Sequence, residues 1–408
     1  MASKALLVAL LGVPAVSALA NEDYCPWPTR PQYVLAKAPA LCPEDTFDQI
    51  LNADVYTERV WSYDPYCVSG PQRQYCVRTN KHFRASNGLS IIATPKAAEA
   101  ASRTFEFARK EPFDSGTKHR YEVQDVPGKG KGLVAKRAIK KGSRIMLDSP
   151  RIIASSRLPF HVGPAEGLQL LSVAVERLPR ADKELVTSLD KGLGGTGVDD
   201  VLKTNSFACQ INDDGVEDSY LCLFPEVARI NHACRPNAHA RFIPKTLLME
   251  IKALRDIKPG EEITISYGKV DMKHSDRQKL YKDGWGFTCT CELCTADAYG
   301  IKGSDLRRIQ FGRLRDKLNS VTAETYDAQQ IIAWEKQVFE IAEREGFETL
   351  IAEDLERIAY VHSGLGAIQE ARTWAQKAKD SLVEWTIVEG GPDNELRRVE
   401  ELLNELGA

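Results

Sequence analysis

Three cysteines inside six residues, Cys289, Cys291 and Cys294, limit what the C-terminal half of this chain can become. Thiols in a C-x-C-x-x-C run are poorly placed to pair with each other, whereas three thiolates folded around one ion suit tetrahedral zinc. A fourth ligand is missing locally. Cys234 is the best candidate, because it sits beside Asn231 and His232 in the densest polar run of the chain, Arg229 to Asn237. We therefore expect zinc on Cys234, Cys289, Cys291 and Cys294.

The other six of the ten cysteines follow a different logic. Cys25, Cys42, Cys67 and Cys76 lie in a Pro- and Tyr-rich stretch just behind an uncharged run from Ala5 to Ala20. That run follows Lys4 and ends in Ala18-Leu19-Ala20, the small-x-small pattern that signal peptidase accepts. It is broken by Gly12 and Pro14 and falls short of the ~20 residues needed to span a bilayer. Residues 1–20 thus read as a removable secretory signal. An even count of cysteines behind it predicts two disulfides, with three pairings open. If the start is misassigned and the chain is nuclear or cytoplasmic, these become buried free thiols. Cys209 and Cys222 belong to no motif and read as buried small hydrophobes.

With 408 residues the chain has room for about two or three domains of ~150 residues each. Its 43% hydrophobic and 27% charged residues exclude a disordered, collagenous or coiled-coil protein. A net charge of -3 offers no general attraction to nucleic acid or to an anionic membrane, so we expect neither as a partner. The seven Lys and Arg between Lys129 and Arg144 read as a solvated hairpin face. We expect a monomer.

Punctuation divides the chain further. Residues 21–115 form a Cys-containing N-terminal region, in which Gly88 to Thr94 reads as a strand and Pro95 to Lys110 as a helix. From Tyr121 the pattern turns to short strands between Gly-rich turns: Tyr121–Val126, Gly132–Ala138 and Ser143–Ile153. Residues 165–190 look helical, with Leu168, Leu171, Val175 and Leu178 at spacings of three and four. Strands return at Leu247–Leu254 and Glu262–Tyr267 across a Pro-Gly turn, and Ser275 opens a short helix reaching about Asp283. From Ser304 onward helices alternate with breaks at Gly346, Gly364–Gly366 and Gly390–Pro392, the pattern of antiparallel hairpins. Ala359, Ala371 and Ala378 are spaced like the contact residues of a tetratricopeptide unit, though an ordinary helical bundle reads nearly as well.

One loop carries its own signal. Gly128-Lys129-Gly130-Lys131-Gly132 lets a ligand approach the backbone closely while amides point at negative charge, yet no Gly-Lys-Ser/Thr follows it and no helix opens there. Gly128 to Ala135, Asn205-Ser206-Phe207, Asn231 to Asn237, Gly260 to Tyr267 and the cysteines after Phe287 together resemble, in order and spacing, a SET domain. The likeness is greatest to the SET-and-MYND class. A MYND insert is missing, because residues 155–204 contain no cysteine, and Ala233 stands where a serine is common.

The resemblance implies an α+β fold: a SET-type β-clip of short strands over 119–268, a post-SET zinc segment over 269–298, and a helical tetratricopeptide-like domain over 304–408. It implies an enzyme that moves a methyl group from S-adenosylmethionine to a lysine side chain of a protein or peptide. Carried over by residue, Lys129, Gly130, Lys131, Asn205, Asn231 and His232 would line the cofactor, Phe287 would lie against its adenine, and Tyr267 would stand beside the transfer channel as the catalytic residue. His232 is expected to serve through backbone and packing. The alternatives are a catalytically inactive SET-like scaffold, or a secreted interaction module whose important surface is 21–115.

Overall fold

The structure is a computed structural model, and it describes residues 60–407 apart from 72, 85–86, 111–117, 196, 212–218, 269–270 and 386–391. The expected signal and Cys25 and Cys42 lie outside the described residues. No described helix is long and apolar enough to cross a membrane.

A six-stranded sheet, in spatial order β1-β2-β3-β7-β9-β8, divides the larger part of the molecule into two cores. Its strands are β1 (Tyr66–Ser69), β2 (Gln74–Arg84), β3 (Asn87–Ala93), β7 (Ile152–Ser155), β8 (Phe207–Cys209) and β9 (Tyr220–Leu223). Successive side chains on a strand face opposite ways. Ile91 and Ile153 therefore enter one core, while Ile92, Ile152 and Ala154 enter the other, against Leu170, Leu171 and Val175 of the helix Pro164–Glu176. Strands β3 and β7 pair parallel, so the sheet draws strands from both sides of the boundary expected near residue 119.

Polar residues conceal this sheet in the sequence. Thr79, Asn80 and Arg84 of β2 are buried, and Thr79 and Ser90 share a 2.8 Å hydrogen bond while Ser90 donates to the Ala174 carbonyl at 2.6 Å. The Ser143–Ile153 stretch is two strands rather than one. Ser149-Pro150-Arg151 breaks it, and Pro150 has no N–H to continue a ladder. Strand β6 (Arg144–Asp148) joins β11 (Ala238–Ile243) and β12 (Leu248–Ala253), whereas β7 enters the large sheet. A third sheet has the order β10-β13-β5-β4, from β4 (Tyr121–Val126), β5 (Gly130–Ala135), β10 (Asn231–His232) and β13 (Glu262–Ile265).

One of two cystine bridges corrects the reading of Cys209 and Cys222 as buried thiols, and the other is one of the pairings left open for the N-terminal cysteines. Cys209 and Cys222 are bonded to each other across β8 and β9, and Cys67 is bonded to Cys76 across β1 and β2. Cys209 and Cys222 were each without a motif because their proximity arises only when three- and four-residue strands pair.

The tail is helical from Ala298, where the Asp297 carboxylate accepts from the Gly300 amide at 2.6 Å and caps a helix running to Asn319. The next helix, Ala328–Glu345, stops at Gly346 in the left-handed region at φ 74°. Helices Ala352–Gly364 and Ile368–Trp385 then form a hairpin in which Ala359, Ala371, Ala375 and Ala378 are wholly buried. The end of that hairpin reaches β11, where His239 Nε2 lies 2.8 Å from the Trp385 carbonyl.

Between the helix Ala328–Glu345 and the first arm of the hairpin lies a fully buried acidic pair, Glu335 and Asp354, joined by Arg357 at 2.6 and 3.0 Å. Burial first, and the Asp354 charge second, push the Glu335 carboxyl up to about 8 against the opposing pull of Arg357. The folded state then holds a proton that the unfolded state has lost, so stability is full at low pH and declines as pH rises toward about 8. Glu335→Gln should flatten that decline in urea unfolding followed between pH 5 and pH 8. Replacing Cys209 and Cys222 together by serine should cost about 3 kcal/mol, read as a lower urea midpoint.

Candidate active site and thiolate centre

Strand β10 is only two residues long, yet it lies parallel to β13 in a register that sets Asn231 against Thr264 and His232 against Ile265. Asn237 secures the return of this segment with its buried amide. Its Oδ1 accepts from the Thr264 N–H at 2.8 Å and its Nδ2 donates to the Glu262 carbonyl at 2.8 Å. Tyr267 grips the same segment from the other side. Its backbone N–H donates to His232 Nδ1 at 3.1 Å, and its hydroxyl donates to the Ile230 carbonyl at 2.7 Å. With Nδ1 accepting, the neutral ring carries its proton on Nε2, which faces Cys234 Sγ at 3.4 Å. The His232 imidazole is thus engaged by backbone and sulfur, leaving the segment's backbone and Asn231 to border the hairpin.

That hairpin joins β4 to β5, and Gly128 and Gly130 take φ of 72° and 70°, a region that glycine enters without strain. Gly132 has a different role. A Cβ there would stand 2.7 Å from Asn231 Nδ2 and 2.6 Å from Val126, so the absent side chain is what lets the asparagine approach. Asn231 Nδ2 donates to Glu262 Oε1 at 2.9 Å and to the Lys131 carbonyl at 3.2 Å, while Lys129 Nζ pairs with Glu262 Oε2 at 2.6 Å. Lys131 turns outward to Asp125. Asn205 holds its surroundings from behind, donating to the Asp190 and Val201 carbonyls at 2.7 and 2.8 Å. Glu262 was not singled out in the sequence, although it lies inside the Gly260–Tyr267 stretch, and its partner Lys129 is 133 positions away.

Aromatic rings wall the space beyond. The helix His274–Trp285, longer than expected, supplies Tyr281 and Trp285, and Gly286 at φ 75° reverses the chain so that Phe287 returns over Tyr281. Phe287 stacks on Tyr281 with centroids 5.5 Å apart, and Trp285 stands 5.6 Å from Tyr267. The reversal is packed tightly: a Cβ on Gly286 would run into the Gly192 carbonyl, and one on Gly192 would stand 2.5 Å from the Trp285 carbonyl. Trp285 Nε1 is buried without a hydrogen-bond partner among the described residues. Burial first, then the charges of Glu262 and Asp190, raise the Tyr267 phenol pKa far above neutrality, so it stays protonated.

Behind the wall the four expected cysteines converge. Their sulfurs all lie within 4.8 Å of one another, and each is buried. Cys234 Sγ is 3.5 Å from that of Cys294 and 3.9 Å from that of Cys289, while the Cys234 N–H donates to Cys291 Sγ at 3.5 Å. Gln278, which sequence reasoning missed, clamps the strip by donating to the Cys289 carbonyl and accepting from its N–H, both at 2.9 Å. The surroundings favour an anion here. Arg277 and Arg308, 1% and 0% exposed, are buried near the cluster, and Arg308 Nη2 donates to the Cys234 carbonyl at 3.3 Å. Four neutral thiols would leave those charges without adequate compensation, whereas four thiolates around a divalent ion carry a net charge of about -2. The donor set therefore fits a thiolate-bound metal.

Known proteins bear on this arrangement. The histone-lysine N-methyltransferase set5 of Schizosaccharomyces pombe is 29% identical over 194 residues, which are 47% of this chain and 55% of that protein. The human N-lysine methyltransferase SMYD2 is 29% identical over 181 residues, 41% of this chain and 40% of that protein. SMYD2-A of Danio rerio is 31% identical over 140 residues, covering 34% of this chain and 30% of its own length. The chain thus matches about half or less of these relatives. The family model for the SET domain matches from Gly130 to Gly268, taking in β5, the Asn231–Asn237 segment, β13 and Tyr267, so residues 130–268 of this chain are a SET domain.

Proposed function

We propose that this chain is a protein-lysine N-methyltransferase that takes its methyl group from S-adenosylmethionine. The observation that carries the reading is Tyr267: a buried, protonated phenol fixed at both its hydroxyl and its backbone, beside aromatic faces and one strand away from the Lys129–Glu262–Asn231 cluster. The chemistry of that cluster suits the amino-acid end of the cofactor, with Lys129 toward its carboxylate and Glu262 toward its ammonium group. Gly132 leaves the room, and the Trp285 Nε1–H, without a partner among the described residues, is a donor in want of an acceptor. Lys131 and Asn205 border this region, and Phe287 offers its ring to the adenine.

S-adenosylmethionine supplies an electrophilic methyl on a sulfonium. The protein's part is to align an acceptor nitrogen with it in line and to keep water away. Tyr267, being neutral, does not take the acceptor's proton; it presents oxygen lone pairs that orient the amine. An acceptor lysine in an apolar channel beside a cation has its pKa lowered by desolvation and by like charge, so it would give one proton to solvent and attack as the neutral amine, the methylated nitrogen taking over the positive charge that sulfur gives up with the breaking methyl–sulfur bond. The thiolate centre, as a structural zinc, would tie residues 289–294 behind the Trp285–Phe287 wall without touching substrate.

The two cystine bridges support the reading of an oxidising compartment, in line with the signal expected at 1–20. There, occupancy by zinc would keep the four remaining described cysteines from oxidation.

Calorimetric titration of S-adenosylmethionine into the full chain should show binding that Asn231→Ala abolishes. Tyr267→Phe should lower kcat by roughly 100-fold or more while binding the cofactor within about twofold of wild type. An unchanged kcat would remove Tyr267 from the reaction, and no cofactor binding by folded, zinc-loaded protein would leave a scaffold. Dialysis against a strong chelator should release stoichiometric zinc and abolish transfer together.

A further inference from the structure

The helical tail touches the thiolate centre through charge. Arg308, in the helix Ala298–Asn319, is wholly buried and donates from Nη2 to the Cys234 carbonyl at 3.3 Å. Its Nε donates to Glu345 Oε2 at 2.9 Å. Glu345 is itself 0% exposed and closes the following helix; it also accepts from Ser304 at 2.7 Å, from Arg307 at 2.7 Å and from Arg235 at 3.1 Å. One carboxylate of the tail thus holds the side chain next to Cys234 and, through Arg308, the Cys234 backbone.

From Cys234 the contacts continue into the site. Cys234 Sγ receives His232 Nε2 at 3.4 Å, and His232 Nδ1 receives the Tyr267 N–H at 3.1 Å. The run Glu345, Arg308, Cys234, His232, Tyr267 is unbroken, and its first two members belong to the tail. Charge reinforces it. Two buried guanidiniums, Arg277 and Arg308, have Asp305, partly exposed, and Glu345 as their respective carboxylate partners, and Glu345 is shared among three arginines. An anionic metal–thiolate group supplies the balance.

We propose that Arg308, held by Glu345, is a positioning residue for methyl transfer: it fixes Cys234, and through His232 the tyrosine, while Arg277 and Arg308 together offset the negative charge of the metal–thiolate centre. The helical tail is in this respect part of the active site. The inference deepens the methyltransferase reading and rests on it for the catalytic half. The metal half stands alone.

The test uses the full chain loaded with zinc, and Arg308→Met, Arg308→Lys and Glu345→Gln. Zinc release is followed with a colorimetric chelator, and the cobalt-substituted proteins are compared by their thiolate-to-metal absorption. Arg308→Met should release zinc about 10- to 100-fold faster and shift the cobalt spectrum, as loss of groups behind metal ligands does. Its kcat should fall about tenfold or more with KM for S-adenosylmethionine nearly unchanged. Arg308→Lys, which keeps the charge, should recover most of the zinc retention and little of kcat, because one ammonium cannot bridge carboxylate and carbonyl as the fork does. Should Arg308→Met fail to fold, Glu345→Gln, which keeps the side-chain volume, carries the same expectation. Wild-type zinc release and spectrum in a folded variant would overturn the charge role, and faster release with unchanged kcat would overturn the positioning role. If wild-type protein neither binds S-adenosylmethionine nor transfers methyl, the functional reading falls while the zinc measurements still decide the metal half.

Discussion

The parallel pairing of Asn231–His232 with Glu262–Ile265 turns three distant stretches of chain into one site. A two-residue strand cannot hold itself in place. It is held by everything around it: the Asn237 amide on one flank, the Tyr267 hydroxyl at Ile230 on the other, and the sulfur of Cys234 just beyond its end. Because adjacent residues face opposite ways, this one register sends Asn231 toward the glycine hairpin and His232 toward Tyr281 and the thiols. A slip of one position would exchange the two and dismantle both centres. The polar cluster and the buried sulfurs therefore depend on a single alignment.

Much of this was legible from residue types. Three closely spaced thiols and a fourth in a polar run foretold the convergence of Cys234, Cys289, Cys291 and Cys294, because a tetrahedral ion is what such spacing suits. Gly346 ends its helix at φ 74°, and Gly128 and Gly130 take the positive φ that a tight hairpin needs. The long-range polar contacts were not legible. Glu262 meets Lys129, and Arg308 meets Cys234, across sequence separations at which spacing carries no information. Arg277 and Arg308 are moreover of a type that is almost never fully buried, so composition assigns them to the surface until the anion they serve is identified.

Strand β2 was missed for a related reason. Thr79, Asn80 and Arg84 occupy interior positions with hydrogen-bonding partners, which erases the two-residue alternation by which a half-buried strand is recognised. The same holds for Cys209 and Cys222. The eight described cysteines divide into two bonded pairs and one unbonded quartet, and the quartet is the group with a buried guanidinium, that of Arg308, on its backbone.

Both cystines lie in the six-stranded sheet, and both join an outermost strand to the one inside it, β1 to β2 at one edge and β8 to β9 at the other. An outermost strand presents unpaired backbone donors and acceptors to any passing chain, and it is the first to peel away. Here each rim is tethered by a covalent bond at a fixed register, with Cys67 directly opposite Cys76. Neither rim can fray outward, slide, or trade places with the same strand of another copy without first breaking sulfur–sulfur bonds. The sheet is hemmed on both sides, and the register of each rim is locked by a bond that only reduction can open.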